Sequence, residues 1–158
     1  MATILLKTLI NAPVSRVFDL SRSIDLHLLS MKASNEKAIA GRTTGLMEWN
    51  ETVTWRAKHF GVYHQLTVRI TALEKFSHFT DVMEKGIFSS MEHVHTFTEQ
   101  PDATLMTCRF EFKAPCGFLG RWAEALFLTK YMRALLMERN SVIKQIAESD
   151  EWKKLLKS

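Results

Sequence analysis

The sequence predicts an α+β fold: a curved antiparallel sheet of about seven strands wrapped around a long C-terminal helix, with two short helices after strand one. Three observations carry this. Apolar residues recur with period two over most of Lys37 to Lys113, the signature of half-buried strands, with breaks near Gly41 and Gly45, at Gly61-Val62, Glu74-Lys75, Gly86 and Pro101-Asp102. After Pro115-Cys116-Gly117 the period changes to 3.6 and holds to about Leu156, with no proline to stop it. The order strand, helices, strands, helix segregates the long helix onto one face of the sheet. At 158 residues the chain is expected to form one domain over its full length, 1–158.

Each element has a local reason. Thr3 to Ile10 alternates and is rich in β-formers; Asn11-Ala12-Pro13 then offers a capping side chain and a proline suited to a first helical turn. Val14, Val17, Phe18 and Leu20 form one apolar helical face, and Ser23 precedes Ile24, Leu26, Leu28 and Leu29 as the cap of a second short helix. Gly61-Val62 fits a two-residue type II′ turn, which sets His59 opposite His64, Ala57 opposite Leu66, Trp55 opposite Val68 and Val53 opposite Ile70. A two-residue turn at Glu74-Lys75 sets Val68 beside Asp81 and Leu66 beside Met83. A three-residue loop from Gly86 to Phe88 sets Asp81 beside His93 and Phe79 beside His95, and a hairpin at Pro101 sets Phe97, His95 and His93 opposite Met106, Cys108 and Phe110. One row across the sheet then reads Trp55, Val68, Asp81, His93, Phe110.

Composition narrows the function classes. The net charge of +4 is spread among acids without a basic stripe, and the cluster Lys153, Lys154 and Lys157 falls in the last helical turns, where cations offset the helix dipole; no nucleic-acid partner is expected. No apolar run reaches the ~18 residues of a membrane span, and Met1 to Asn11 lacks the pattern of a signal peptide, so a cytoplasmic location is expected. Cys108 and Cys116 are too few and wrongly spaced for a disulfide framework, and reduced thiols are expected. The oligomeric state is not written in the sequence.

The same element order, with the segments Val53-Thr54-Trp55-Arg56-Ala57-Lys58-His59-Phe60-Gly61-Val62, Phe79-Thr80-Asp81-Val82-Met83, His93-Val94-His95 and Tyr131-Met132-Arg133-Ala134-Leu135-Leu136, resembles the SRPBCC superfamily. That is the helix-grip group of lipid-transfer START domains, birch-pollen allergens and polyketide cyclases. The resemblance spans the whole chain and is nearest to small bacterial ligand-binding members. It implies a space between sheet and helix kept partly open for a small hydrophobic or amphipathic molecule. It transfers no catalytic residue.

The candidate lining follows from the registers. Met47, Trp49, Val53, Trp55, Leu66, Val68 and Ile70 are expected to look inward, with Phe79, Met83, Met91, Phe97, Met106 and Phe110 on the later strands. The final helix offers Trp122, Leu126, Met132 and Leu136. A polar group interrupts this surface. Asp81, His93 and His95 are candidates for acid/base work, because residues two apart on a strand share a face and an adjacent carboxylate raises an imidazole's basicity. Glu51 is a candidate to join them, and Arg139 falls on the cavity side of the helix, suited to a ligand's acidic group or to pairing with Asp81 or Glu51.

Binding or carriage of a hydrophobic small molecule is the favoured function, without a cofactor. A cyclase, dehydratase or hydrolase-like enzyme using Asp81 and His93 is the first alternative, and a protein-interaction domain akin to chaperone activators the second. No metal is expected at His93-x-His95, since the other histidines considered as ligands, His59 and His64, belong to a distant hairpin tip. Cys108 beside His95 is the start of a nucleophilic pair, but no oxyanion-hole motif accompanies it.

Overall fold

A computed structural model of the protein describes residues 1–114 and 121–156, with backbone alone for 121–125. The strands are β1 (Ala2–Ile10), β2 (Lys37–Gly41), β3 (Thr52–His59), β4 (Val62–Glu74), β5 (His78–Lys85), β6 (Ser90–Gln100) and β7 (Ala103–Lys113). Helices α1 (Val14–Ser21) and α2 (Ile24–Ser30) follow β1, and α3 (Arg121–Ala147) and α4 (Trp152–Leu155) end the chain. All seven strands join one antiparallel sheet in the order β1-β7-β6-β5-β4-β3-β2, so the first strand closes the meander against the last. Its inner face carries the core, shared with α1, α2 and the second half of α3: Phe18, Leu20, Met106, Phe112 and Ile143 are each at most 1% exposed. Burying a side chain of this size stabilises the fold by ~1.5–3 kcal/mol.

The turns differ from the sequence reading in an informative way. Between β3 and β4 the central pair is Phe60-Gly61, with φ of 54° and 76°, and His59 pairs with Val62. Two consecutive positive φ values define a type I′ turn, whose twist suits a hairpin. Trp55 therefore faces Leu66 and Val53 faces Val68, two residues from the expected partners. Between β4 and β5 the loop is one residue longer, with Phe76 at φ 66°, and two bulges interrupt the pairing. Ile70 rather than Val68 lies beside Asp81, and Val68 rather than Leu66 beside Met83. The β5–β6 and β6–β7 registers are as expected, so the observed row is Ile70, Asp81, His93, Phe110, Ile4.

Helix boundaries also show what competes with periodicity. Ser23 Oγ accepts from the Leu26 N–H at 3.2 Å and caps α2 as expected. Asn11 does not cap α1: Pro13 stands at that position without a side-chain hydrogen bond, and the Asn11 backbone N–H donates to Glu148 Oε2 at 2.8 Å. The long helix stops at Ala147, not near Leu156. Ser149 Oγ accepts from the Glu151 N–H and donates to the Ile146 carbonyl, local bonds that compete with helix continuation before the short α4. The expected start of this helix near Gly117 lies outside the described residues. None of the described helices is long and apolar enough to cross a membrane.

Candidate functional site

A cavity of about 360 Å³ lies between the inner face of the sheet, α2 and α3. Val53, Trp55, Leu66, Val68 and Ile70 form its wall on β3 and β4, and Leu128, Met132, Leu135 and Leu136 its wall on α3. Phe60 and Ile87 line the cavity yet remain exposed, which marks the end at which it opens. There Phe60 packs on Phe127 and Tyr131, and the Tyr131 hydroxyl hydrogen-bonds His59 Nδ1. Burial lowers the His59 pKa and raises that of Tyr131.

Among the expected site residues, Trp55, Phe79, Asp81, Met91, His93, His95, Phe110, Met132, Leu136 and Arg139 come together around this space. Six others do not line it. Trp49 is 63% exposed, because a turn from Glu48 to Glu51 with Asn50 at φ 66° interrupts the alternation before β3 begins. Glu51 accepts instead from Arg42 Nε at 2.7 Å, and burial is too slight to offset that bond, which lowers its pKa. Phe97 and Met106 are buried beneath α1, where Phe18 meets Phe97 edge-on and Ser21 Oγ approaches Met106 Sδ at 3.4 Å. Met83 packs against the core beside Gly86, outside the lining, and Leu126 is 58% exposed. The Trp122 side chain lies outside the described residues.

Sequence reasoning missed His27 and Glu36. His27 stacks on Trp55 with ring centroids 4.1 Å apart, and its Nε2 lies 2.7 Å from Glu36 Oε1. The signal was the spacing of Ile24, His27 and Met31 on one face of α2 and the turn after it, all three of which line the cavity.

The deep polar cluster is built from three strands and α3. Asp81 and His93 are cross-strand neighbours, as expected, but the hydrogen bond of Asp81 goes to the diagonal His95: Nε2 to Oδ1, 3.0 Å. Diagonal neighbours on a twisted sheet are within reach of long side chains, and Phe79 stacked on His95 at 4.2 Å holds the ring in place. With Nε2–H donating to the carboxylate, His95 Nδ1 is the acceptor that faces the Cys108 thiol at 3.7 Å. Asn140 continues the chain: its amide N–H₂ donates to Cys108 Sγ at 3.8 Å, and its Oδ1 accepts from Arg139 Nη1 at 3.3 Å. Arg139 is 5% exposed and spends its other bond on the Ser21 carbonyl at 2.7 Å, so it pairs with neither Asp81 nor Glu51.

His93 is different. Its Nε2 is the buried side-chain polar atom, among the described residues, that has no hydrogen-bond partner. Its ring lies 3.8 Å from that of His95 and meets Phe110 edge-on. Burial holds both imidazoles well below the ordinary histidine pKa, so both are neutral at pH 7, and it raises Asp81 and the Cys108 thiol. One nitrogen from each of His93 and His95 and the Cys108 sulfur lie within 4.8 Å of one another.

Seven antiparallel strands in this order, closed by a long C-terminal helix and carrying two short helices after β1, superpose on known structures over nearly their whole length. A protein from Thermus thermophilus, TTHA0849, aligns with a TM-score of 0.71 at 15% identity, covering 94% of this chain and all of the other. A START superfamily protein from Mycobacterium smegmatis gives 0.70 at 10% identity, covering 92% and 97%. The fold is of the SRPBCC, helix-grip type. The helix-grip neighbours extend to the major latex-like protein 151 of Panax ginseng, at 0.66 and 12% identity over 94% of this chain and 98% of that one. No protein-family model and no curated protein matches the sequence.

Proposed function

We propose that this protein binds a small, mainly apolar molecule between its sheet and α3, with the molecule's polar group directed at Asp81 and His93. The observation that carries this is a helix-grip cavity of about 360 Å³ whose apolar walls converge on a buried polar cluster. Small-molecule sites have this composition, and the volume is near the lower end of their range, which favours a compact ring system over a long acyl chain. Binding is favoured over catalysis because Asp81 is hydrogen-bonded to His95 and not to His93, so the acid/base pair is not assembled, and the Cys108 thiol sits behind the wall, 1% exposed. In this reading the chain acts as a single domain in the cytoplasm, carries its ligand without a partner nucleic acid, and does not work as an interaction domain, for which a filled interior is expected.

Displacement of a fluorescent aromatic probe tests it, with Trp55 in the cavity wall as an internal reporter. We expect saturable binding in the wild type and a loss of at least tenfold in Ala57→Phe, which projects a ring into the cavity from β3 while leaving the fold intact by circular dichroism. Equal affinity in the two proteins would place the probe on the surface and sink the proposal. Native mass spectrometry of the freshly purified protein would identify a retained ligand.

A further inference from the structure

The donors at the sheet side of the cavity have an arrangement that hydrophobic ligand binding does not require. His93 and His95 share a face of β6, and His95 is the direct cross-strand partner of Cys108 on β7. All three side chains are buried. We propose that His93, His95 and Cys108 bind a borderline-soft transition metal ion, zinc(II) or its surrogate cobalt(II), at the sheet side of the cavity.

Four features of the geometry support this. One donor atom from each residue lies within 4.8 Å of the other two, so a contraction of about an ångström brings all three onto one ion. The pair already nearest to ligation is Cys108 Sγ and His95 Nδ1 at 3.7 Å. Tetrahedral bonds of about 2.3 Å to sulfur and 2.0 Å to nitrogen set that edge at roughly 3.5 Å. His95 presents Nδ1 because its remote nitrogen is held by Asp81, the carboxylate–histidine pairing that fixes the tautomer and orientation of metal-bound imidazoles. His93 supplies a buried nitrogen that has no partner within the protein.

The surroundings suit the charge. Binding replaces the thiol proton by the metal, releasing one proton to solvent, and the resulting thiolate keeps the N–H of Asn140 as a donor. Thiolate and Asp81 together offset a divalent ion, while the guanidinium of Arg139 is committed to the Ser21 carbonyl and Asn140 Oδ1. His93 and His95 line the cavity, which gives the ion a path and leaves a fourth position to water or to a donor atom of an occupant. This differs from the expectation drawn from sequence, which considered His59 and His64 as further ligands and weighed Cys108 only as a nucleophile.

Cobalt(II) titration of EDTA-treated protein decides the matter without any knowledge of the organic ligand. We expect one equivalent to bind, with a thiolate-to-cobalt charge-transfer band in the near ultraviolet that zinc(II) abolishes by competition. Cys108→Ser should lose the band and Cys116→Ser keep it. His93→Ala should weaken binding tenfold or more, and Asp81→Asn by ten- to a hundredfold with the band retained. No band in folded wild-type protein, or a band that follows Cys116, overturns the proposal. Because the first readout uses the wild type, the outcome does not depend on any variant folding. Loss of probe binding with the cobalt band intact, or the reverse, separates this proposal from the ligand-binding reading.

Discussion

Replacing His93 by Phe should stabilise the protein. Its Nε2 is buried without a partner, and an unsatisfied buried polar atom costs ~1–3 kcal/mol. Phenylalanine removes that atom, keeps an edge contact to Phe110, and has the adjoining cavity to absorb its extra volume. At about 2–4 °C per kcal/mol for a chain of this size, the melting temperature should rise by roughly 2–12 °C at pH 7.

The gap should widen in acid. The folded-state pKa of His93 lies well below 6.5 because burial disfavours the charged ring, so below pH ~6.5 the unfolded chain takes up a proton that the folded chain does not. The contribution of this residue is therefore fully present above that pH and is lost as pH falls, by at most ~1.4 kcal/mol per pH unit. The variant has no such slope from position 93. Urea unfolding at pH 7 and pH 5, in EDTA so that no metal stabilises the wild type, measures both quantities. A variant less stable than wild type by more than about 1 kcal/mol at pH 7, or parallel pH dependences, would refute the reasoning.

Arg139→Met keeps the length of the side chain but strips the donors from the Ser21 carbonyl and Asn140 Oδ1, and we expect a loss of ~2–4 kcal/mol in the same unfolding assay. A loss under about 0.5 kcal/mol would mean that the guanidinium is solvated. Gly41→Ala should cost more than about 1 kcal/mol, since φ is +73° and a Cβ would stand 2.2 Å from the Thr52 carbonyl oxygen, forcing β2 and β3 apart; amide exchange at Thr52 to Thr54 should quicken. Ser23→Ala removes the cap of α2 and should cost about 1 kcal/mol, with no effect on cobalt binding.

Much of the architecture was legible because strand alternation has parity. The misread turn at Gly61-Val62 shifted partners by two residues; the longer loop at Glu74-Lys75 shifted them by three beside the turn, and the bulge between Ile70 and Ala72 brought this back to two at Asp81 and Met83, a shift that leaves every side chain on its own face. Trp55, Asp81 and His93 therefore reached the cavity even though their assigned neighbours changed. What failed had local causes that hydrophobic patterning does not encode. Asn50 in the left-handed region turned Trp49 outward, α1 covered Phe97 and Met106, and side-chain bonds at Ser149 ended α3 early. The diagonal partner of Asp81 was hidden for a related reason, since register fixes which residues are opposite but twist and stacking choose which atoms meet.

The chain of bonds from Asp81 through His95, Cys108 and Asn140 to Arg139 has a mechanical meaning. It rivets the second half of α3 to the sheet and to the end of α1, and Ile143 and Ala147 are buried behind it. Nearer the mouth the same helix shows Leu126 and Phe127 to solvent, and there Tyr131 and the ring of Phe60 fasten it. A beam clamped at one end and latched at the other bends at the latch. On the proposed binding function, a guest would enter by lifting the aromatic latch, and the clamped polar end would stay in place as the cavity exchanged its contents.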